Sequence, residues 1–279
     1  MKIGITGATG QLGSLVVEQL KGKTDAANLV ALVRSPEKVA GIEARAFDYD
    51  SPETLLEPLT GIDHLLLISG NEIGQRARQH ENIINAAKEA GVKWIVYTSI
   101  LRADSSTISL AGEHLATEKL LADSGIAYTI LRNGWYTENY TGSIPPSVEA
   151  GAFIGSAGDG KISSATRADF AEAASVVLTS EDQAGKVYEL AGDEAYTLTD
   201  LAAEISKQTG KDIPYANLPE EEYSKALKGI GLPDAFADGI ASWDVSASKG
   251  DLFDDGKTLS KLIGRPTTPL SEAVKAVLG

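Results

Sequence analysis

The sequence KIGITGATGQLGSLVVEQL, residues 2–20, decides the fold class of this chain. A short apolar run before Gly7 predicts a buried strand, and the spacing of apolar residues over 11–21 predicts an amphipathic helix. Between them Gly7, Gly10 and Gly13 form a G-x-x-G-x-x-G pattern, one residue longer than the commoner G-x-G-x-x-G fingerprint. A strand, a glycine loop and a helix in this order are typical of a loop that receives a pyrophosphate at the helix N-terminus.

Short apolar runs alternate with helical patterns through the first half of the chain. Because the predicted strands are continuously apolar, we expect a parallel sheet covered by helices on both faces. The predicted fold is α/β, a doubly wound parallel Rossmann sheet with a smaller, mostly helical C-terminal substrate region. The predicted strands are 2–6, 28–34, 43–49, 63–69, 93–99, 127–132 and 186–192, and the predicted helices are 11–21, 51–59, 76–90, 110–124, 167–180, 198–209, 219–228, 233–242 and a last helix to Val277.

The regular alternation of predicted strands and helices ends after about Arg132. Residues 141–164 are rich in Gly, Pro and Ser and include Pro145 and Pro146, which predicts an irregular segment. The predicted Rossmann domain is 1–135, completed by 165–192, and the predicted substrate region is 136–164 with 193–279.

Composition narrows the class of protein. The net charge is −14, from 25 basic and 39 acidic residues, so neither nucleic acid nor insertion into an anionic membrane is expected. The chain has no cysteine, which excludes disulfides and thiolate catalysis, and its three histidines lack metal-ligand spacing. With no signal peptide and no apolar run of about 18 residues, we expect a soluble cytoplasmic protein without a metal site.

Arg34 stands at the end of the second predicted strand, where NAD-preferring proteins carry Asp or Glu to bind the ribose hydroxyls. A guanidinium pairs well with a 2′-phosphate, and no carboxylate stands at this position to repel it. The residue therefore favours NADP(H) over NAD(H) as the cofactor. The alternative is a solvated surface arginine.

A second polar segment, residues 69–80, follows the fourth predicted strand. Ser69 ends that strand at the edge of the sheet where cofactors bind, and Gly74, Gln75 and Arg76 lie in what is predicted to be a long, exposed connection. The segment is interpreted either as a loop that covers the cofactor or as the first turn of a solvated helix.

A proton donor is missing from its usual place. The glycine spacing resembles that of extended and atypical short-chain dehydrogenases/reductases, in which a Tyr-x-x-x-Lys pair lies on the helix after the fifth strand. Here Leu110 and His114 occupy those positions, so a substrate that needs a strong general acid is not expected. A quinone fits better, because its reduced oxygen is only weakly basic. His114 is interpreted as a modest proton donor, as an orienting group or as a surface histidine.

The segment LRNGWYTENY, residues 131–140, follows the sixth predicted strand. Its aromatic rings are suited to stacking on a planar substrate, and its amides to binding a carboxamide or a carbonyl. The alternative is packing between domains. The residues of interest are Asn133, Trp135, Tyr136, Asn139 and Tyr140, and Tyr136 joins His114 as a candidate for a catalytic role.

With these motifs in hand, the chain resembles NmrA-like atypical short-chain reductases, and among them the bacterial NAD(P)H:quinone oxidoreductases. The stretches that carry the resemblance include LVRSPEK, LLLISGNEIGQRARQH, NAAKEAGVKWIVYTS, LADSGIAYTILRNGWYTENY and GKISSATRADFAEAA. The resemblance implies that NADP(H) contacts Gly7, Thr9, Gly10, Gln11, Leu12, Arg34, Ser69, Gly74, Gln75, Arg76, Glu138, Asn139, Tyr140 and Phe170, with Asn133, Trp135 and Tyr136 beside the substrate.

The resemblance implies reduction of a small-molecule quinone by direct hydride transfer, without flavin or metal. Two alternatives stay open: an NADP(H)-binding redox-sensing regulator with little or no turnover, and an epimerase or isoflavone-reductase-like enzyme. The second of these alternatives, an epimerase or an isoflavone-reductase-like enzyme, needs a catalytic Lys or Tyr in the 110–119 region. The sequence leaves the oligomeric state open, with a homodimer among the options.

Overall fold

The computed structural model describes residues 1–279, which form two compact units. Unit 1 consists of residues 1–104, 110–133 and 167–190, and unit 2 of residues 105–109, 134–166 and 191–279. Each unit is therefore assembled from several stretches of the chain.

Strands and helices follow one another along the chain in the order expected for an α/β protein. The strands are β1 Ile3–Thr6, β2 Leu29–Val33, β3 Glu43–Ala46, β4 His64–Leu67, β5 Trp94–Ile100, β6 Ala127–Asn133, β7 Phe153–Gly155, β8 Val187–Leu190 and β9 Tyr215–Asn217. The helices are α1 Gln11–Lys21, α2 Leu56–Leu59, α3 Arg76–Ala90, α4 Ala111–Ser124, α5 Glu138–Thr141, α6 Ile144–Ala150, α7 Arg167–Thr179, α8 Leu198–Thr209, α9 Glu220–Gly229, α10 Asp234–Ser248, α11 Thr258–Ile263 and α12 Leu270–Leu278. Short 3₁₀ turns cover Ala26–Asn28, Pro36–Lys38 and Pro52–Thr54.

Unit 1 is built on one seven-stranded sheet in the order β3-β2-β1-β4-β5-β6-β8. Every neighbouring pair is parallel. Apolar residues on one face of the sheet, among them Leu32, Leu67 and Ile95, share a buried cluster with Ile83 of α3 and Leu121 of α4. Helices α1 and α7 pack against each other as a second pair. The predicted doubly wound parallel sheet, completed by β8, is confirmed.

Two threonine side chains hold the chain where it leaves β4. The backbone N–H of Ile68 donates to Oγ1 of Thr6 over 2.9 Å, and that of Ser69 donates to Oγ1 of Thr98 over 2.9 Å. The carboxyl ends of β1, β4 and β5 are tied together in this way, because both threonines lie near the ends of their strands. In an open parallel sheet this edge is where ligands bind.

Several stretches differ from the sequence expectation. The helix predicted over 51–59 is a 3₁₀ turn at Pro52–Thr54 followed by the single turn of α2. The third strand ends at Ala46 rather than at 49, because it lies at the edge of the sheet, where Phe47 turns inward and is only 2% exposed. Residues 141–164 are not irregular throughout, since they hold α6 and β7. Pro145 and Pro146 lie in the first turn of α6, where proline removes no helical hydrogen bond.

Unit 2 is mostly helical, as expected for the C-terminal part of the chain. Its β7 and β9 pair in parallel as a separate two-stranded sheet that the sequence does not reveal, because each strand is only three residues long. The helix predicted over 233–242 continues to Ser248. Asp244 on this longer helix is only 4% exposed and accepts hydrogen bonds from the Tyr140 hydroxyl over 3.2 Å and the Ser156 N–H over 2.9 Å.

Asp244 gives unit 2 a pH-dependent stability. Burial raises the pKa of Asp244 from 3.8 to about 6, although the two hydrogen bonds act to lower it. Between pH 4 and 6 the unfolded chain loses a proton that the folded chain keeps, so this group stabilises the protein at low pH and less as the pH rises. The free energy of unfolding falls by on the order of 3 kcal/mol as the pH rises through this range.

Urea unfolding of the wild type and Asp244→Asn as a function of pH tests this prediction. Other groups titrate in both proteins, so the quantity to follow is the difference between their free energies of unfolding. We expect the free energy of unfolding of Asp244→Asn to increase relative to that of the wild type between pH 4 and 7. Parallel stability curves would show that Asp244 does not titrate in this range.

Candidate functional site

The glycine loop after β1 is wound tightly against the start of α1. Gly7 has a φ of +60°, a conformation that favours glycine, and its carbonyl oxygen accepts a hydrogen bond from the Gly10 N–H over 2.8 Å. A Cβ on Gly13 would lie 2.1 Å from that same oxygen and 2.9 Å from the Cα of Ala8. The loop therefore requires glycine at two of its three positions, and it holds the backbone close to the helix N-terminus.

The N-terminus of α1 is free for an anion. No side chain caps it, and its first turn contains no acidic residue. Thr9, Gly10 and Gln11 are exposed, whereas Leu12 is buried and anchors the helix in the core. The first N–H groups of a helix have no partner within it, and they carry the positive end of the helix dipole. This cradle fits the pyrophosphate of a dinucleotide.

Arg34 follows β2 directly at the same edge of the sheet. Its side chain is 71% exposed, and Nη1 lies 3.8 Å from Oε1 of Glu72, whose side chain is 46% exposed. The distance exceeds hydrogen-bond reach, so the pair is a loose, solvated contact. The guanidinium is thus able to receive a further anionic partner.

The segment after β4 is only partly the exposed loop that the sequence predicts. Residues 71–75 are exposed, and the Gly74 N–H donates to Oε1 of Glu113 over 3.0 Å. Arg76 at the start of α3 is only 5% exposed, and His80 is fully buried. The interpretation of 69–80 as a solvated helix turn is therefore wrong for these two residues, because each is held by a backbone partner: Arg76 Nε donates to the Gly70 carbonyl, and the Gly70 N–H donates to Nε2 of His80.

Three buried polar atoms near these loops have no hydrogen-bond partner in the protein. Nη1 of Arg76 and Oε2 of Glu113 lie 3.6 Å apart and make an ion pair without a hydrogen bond. Oδ1 of Asn133, at the end of β6, is also unpaired, although the residue is only 4% exposed. Because buried polar atoms are normally hydrogen-bonded, these atoms indicate places where a polar ligand or water completes the structure.

His114 is a buried residue, not a surface histidine. It is 5% exposed, and Nδ1 lies 2.7 Å from the hydroxyl of Tyr97 on β5. Burial, with the positive charge of Arg76 adding to it, holds the pKa of His114 well below its ordinary value of 6.5. Burial likewise raises the pKa of the Tyr97 hydroxyl. Both groups are therefore neutral near pH 7, and His114 can take part in a hydrogen bond but does not carry the second, acidic proton of an imidazolium.

Leu110 and His114 stand where related enzymes carry the Tyr-x-x-x-Lys pair. Leu110 precedes α4 as its N-cap residue and contributes no polar group. Nearby, Ser99 donates to Glu118, which also accepts two hydrogen bonds from Arg132. Glu118 is thus engaged in a buried network that joins β5, β6 and α4. These polar side chains are already hydrogen-bonded to one another, so none of them is available as a general acid.

In unit 2, Trp135 and Tyr136 lie on a stretch whose backbone pairs with Ala165. The Trp135 carbonyl accepts a hydrogen bond from the Ala165 N–H, and Tyr136 makes a parallel bridge to Ala165. Both aromatic residues are half-buried, so their rings keep an accessible surface. Glu138, half-buried, and Asn139, exposed, begin the short helix α5 that follows.

Two aromatic residues of α10 join Trp135 and were not predicted from the sequence. The ring of Trp243 lies edge-to-face with Trp135 at 5.7 Å and with Phe236 at 6.1 Å. Trp243 is oriented by a 3.0 Å hydrogen bond from Nε1 to the Ser109 hydroxyl, and Phe236 is 48% exposed. Their separation of about 100 residues from Trp135 left no local signal, although an exposed Phe on an amphipathic helix is a feature that could have drawn attention.

Tyr140 and Phe170 are buried rather than open to solvent. The Tyr140 hydroxyl is already bound to Asp244 in unit 2, and burial raises its pKa well above 10.0. Phe170 is 1% exposed within α7 of unit 1. Neither side chain presents a free polar group, so any contact with a cofactor has to come from a ring edge or from the backbone.

Within unit 1 the structure gathers most of the predicted cofactor residues at the carboxyl edge of the sheet, and the remainder belong to α7 or to unit 2. No three His, Asp or Glu side chains are grouped so that they could hold a metal ion. None of the helices is long and apolar enough to cross a membrane. The predicted cofactor residues at the carboxyl edge are Gly7, Thr9, Gly10, Gln11, Leu12, Arg34, Ser69, Gly74, Gln75 and Arg76, and the predicted substrate residue Asn133 ends β6 at the same edge.

Comparisons with known proteins show which family the chain resembles. The profile of the NAD(P)H-binding family matches residues 7–181. The chain is 59% identical to quinone oxidoreductase 2 of Escherichia coli over 277 residues, which are 98% of this chain and 97% of that protein. The crystal structure of an Escherichia coli NADPH-dependent quinone oxidoreductase complexed with NADPH superposes with a TM-score of 0.97 at 58% identity, covering 99% of this chain and 100% of that one. A Citrobacter triphenylmethane reductase complexed with NADP(H) gives a TM-score of 0.95 at 39% identity, covering 99% and 100%.

Proposed function

The chain belongs to the NAD(P)H-binding family, and we propose that it catalyses the NADPH-dependent reduction of quinones. The membership confirms the family resemblance on which the sequence expectation rests. The reaction is a direct hydride transfer that uses neither flavin nor metal. One observation carries the proposal: the glycine cradle and Arg34 lie at one edge of the sheet in a chain 59% identical to an Escherichia coli quinone oxidoreductase.

The residues proposed to hold NADPH divide by the part of the cofactor that each suits. The glycine loop and the free N–H groups of α1 suit the pyrophosphate, and the exposed guanidinium of Arg34 suits the 2′-phosphate. Nη1 of Arg76 is buried and makes no hydrogen bond, although it forms an ion pair with Glu113, so it suits a further polar acceptor. The full set consists of Gly7, Thr9, Gly10, Gln11, Leu12, Arg34, Ser69, Gly74, Gln75, Arg76, Glu138, Asn139, Tyr140 and Phe170.

Asn133, Trp135 and Tyr136 are proposed to bind the substrate. The unpaired Oδ1 of Asn133 supports a polar contact with a ligand, and the accessible rings of Trp135 and Tyr136 support stacking on a planar ring. Phe236 is added to this group because it is exposed, and Trp243, which is only 7% exposed, supports it by contacting the rings of both Trp135 and Phe236. A quinone is flat and apolar, which matches the aromatic rings, and its two carbonyl oxygens accept from donors such as the Tyr136 hydroxyl. Oδ1 of Asn133 is an acceptor, so it suits a donor such as a hydroxyl of the hydroquinone product.

The chain needs no strong acid for this reaction. When bound, NADPH supplies a hydride, and a quinone that accepts it together with one proton becomes a hydroquinone. The hydroquinone oxygen has a pKa near that of a phenol, about 10, so solvent protonates it without a dedicated donor. Neutral His114 is assigned an orienting role through Tyr97, and Tyr136 is a candidate hydrogen-bond donor to a quinone oxygen.

The test is NADPH oxidation by the purified protein, measured with a small panel of quinones and with no acceptor. We expect oxidation that depends on the quinone and that continues after treatment with a metal chelator and without added flavin. Tight NADPH binding with no quinone-dependent rate would overturn the enzyme and favour the redox-sensing regulator. No binding of NADPH would reject both.

The pH profile of the turnover number gives a second prediction. Because burial keeps the pKa of His114 well below 6.5, its charge does not change between pH 6 and 8. We expect no inflection near pH 6.5 when activity is measured at constant ionic strength. An inflection there that disappears in His114→Gln would show that His114 titrates during turnover.

The cytoplasmic location and the homodimer stay predictions from the sequence. Gel filtration with light scattering measures the mass of the assembly directly.

A further inference from the structure

The ion pair between Arg34 and Glu72 has a consequence for the choice of cofactor. Arg34 stands at the end of β2, the position whose side chain contacts the ribose of a dinucleotide in this fold. The carboxylate of Glu72 reaches it from the loop after β4, with 3.8 Å between Nη1 and Oε1. A negative charge therefore lies beside the guanidinium, although the end of β2 itself carries none.

Glu72 is held in this position by a buried side chain. Its Oε2 accepts a hydrogen bond from Nε2 of Gln79 over 3.0 Å, and Gln79 is only 2% exposed. The same Nε2 donates to Oδ2 of Asp50 over 3.1 Å. One buried amide thus fixes two carboxylates. Asp50 also pairs with Arg78, which chiefly lowers its pKa, and the charge of Arg34 adds to that effect.

The two cofactors respond to this carboxylate in opposite ways. A 2′-phosphate carries up to two negative charges, so a carboxylate next to Arg34 repels it and also competes for the guanidinium. A 2′-hydroxyl is a donor, and a carboxylate is the acceptor that NAD-preferring proteins supply for it. Arg34 and Glu72 therefore offer partners for both forms of the ribose.

We propose that Glu72 is a specificity-determining residue that weakens discrimination between NADPH and NADH. This inference rests on the proposed function, because it assumes that the ribose lies beside Arg34. Both side chains are substantially exposed, so solvent and salt screen the effect and keep it moderate. The carboxylate lowers the affinity for NADPH by about fivefold and raises that for NADH by about threefold.

The test measures dissociation constants for NADPH and NADH by isothermal titration calorimetry, at low and at high salt, without any quinone. The variant is Glu72→Gln, which keeps the size of the side chain and an oxygen that can accept from Gln79. The control is Glu89→Gln, which removes the same charge from an exposed residue at the C-terminal end of α3, next to the opposite edge of the sheet.

For Glu72→Gln we expect the ratio of the two dissociation constants to shift toward NADPH by about tenfold or more, with a smaller shift at high salt. Glu89→Gln should leave the ratio unchanged. Wild-type protein that binds NADPH, with an unchanged ratio in Glu72→Gln, would overturn the inference alone. Wild-type protein that binds neither nucleotide would overturn the proposed function and the inference together.

Discussion

Gly13→Ala is expected to raise the dissociation constant for NADPH by more than about 100-fold, that is, by more than about 2.7 kcal/mol. The new Cβ would lie 2.1 Å from the Gly7 carbonyl oxygen and 2.7 Å from its carbonyl carbon, distances that force the backbone to move. The shift separates the loop from α1, so the N–H groups that are proposed to hold the pyrophosphate no longer converge. The dissociation constant is measured by calorimetry.

The same clash costs folding stability, on the order of 1–3 kcal/mol as for other overpacked sites. Circular dichroism and urea unfolding separate this cost from the loss of binding. Gly229→Ala is the matched control, because it makes the same substitution at the end of α9, where a Cβ meets nothing within 4 Å. Wild-type affinity in a folded Gly13→Ala protein would show that the glycine loop does not bind the cofactor.

Arg34→Ala is expected to weaken NADPH binding by about 100-fold while changing NADH binding by less than about threefold. The guanidinium is the only positive partner proposed for the 2′-phosphate, and its removal leaves the carboxylate of Glu72 beside that phosphate. NADH has no such phosphate and loses little. Dissociation constants for the two nucleotides, measured in parallel, give the comparison.

Lys23→Ala is the control for a lost positive charge, since Lys23 is exposed and follows the C-terminus of α1, away from the carboxyl edge of the sheet. It should affect both nucleotides little and equally. Equal losses for NADPH and NADH in Arg34→Ala would mean that Arg34 does not touch the 2′-phosphate and is an ordinary surface arginine.

The fold of unit 1 was predictable because each of its elements carries its own local signal. The run before Gly7 has no charged residue and is buried at all four positions, as a strand covered on both faces requires, and α1 repeats its apolar residues at helical spacing. The helix after β4 was bounded correctly at Gly91, which takes the left-handed conformation at its C-cap. Strands β7 and β9 carry no such signal, because three residues are too few for a period.

The parts of the candidate site that could be predicted are those whose role depends on where a residue stands relative to the end of a strand. The glycine spacing and Arg34 could be read in this way, because the end of each strand in a parallel sheet lies at one known edge. The burial of Arg76 and His114 could not, since a polar residue is buried only when a distant partner satisfies it. For His114 that partner is Tyr97, and its contact depends on how α4 packs on β5.

The contacts of Glu72 and Trp243 show the same limit. Glu72 reaches Arg34 across 38 residues, and Trp243 reaches Trp135 across 108 residues of sequence. Neither pair shares a helix face or a neighbouring strand position, so no periodicity links them. Such contacts require the folded chain.

The most direct test of the central claim is a single-turnover experiment without flavin, in which the NADPH-loaded protein is mixed with a limiting amount of quinone. We predict that one NADPH is oxidised for each quinone reduced, and that the step is slower when the transferred hydrogen of NADPH is replaced by deuterium. Reduced nicotinamide that persists in the presence of every quinone tested, despite bound NADPH, would contradict the account.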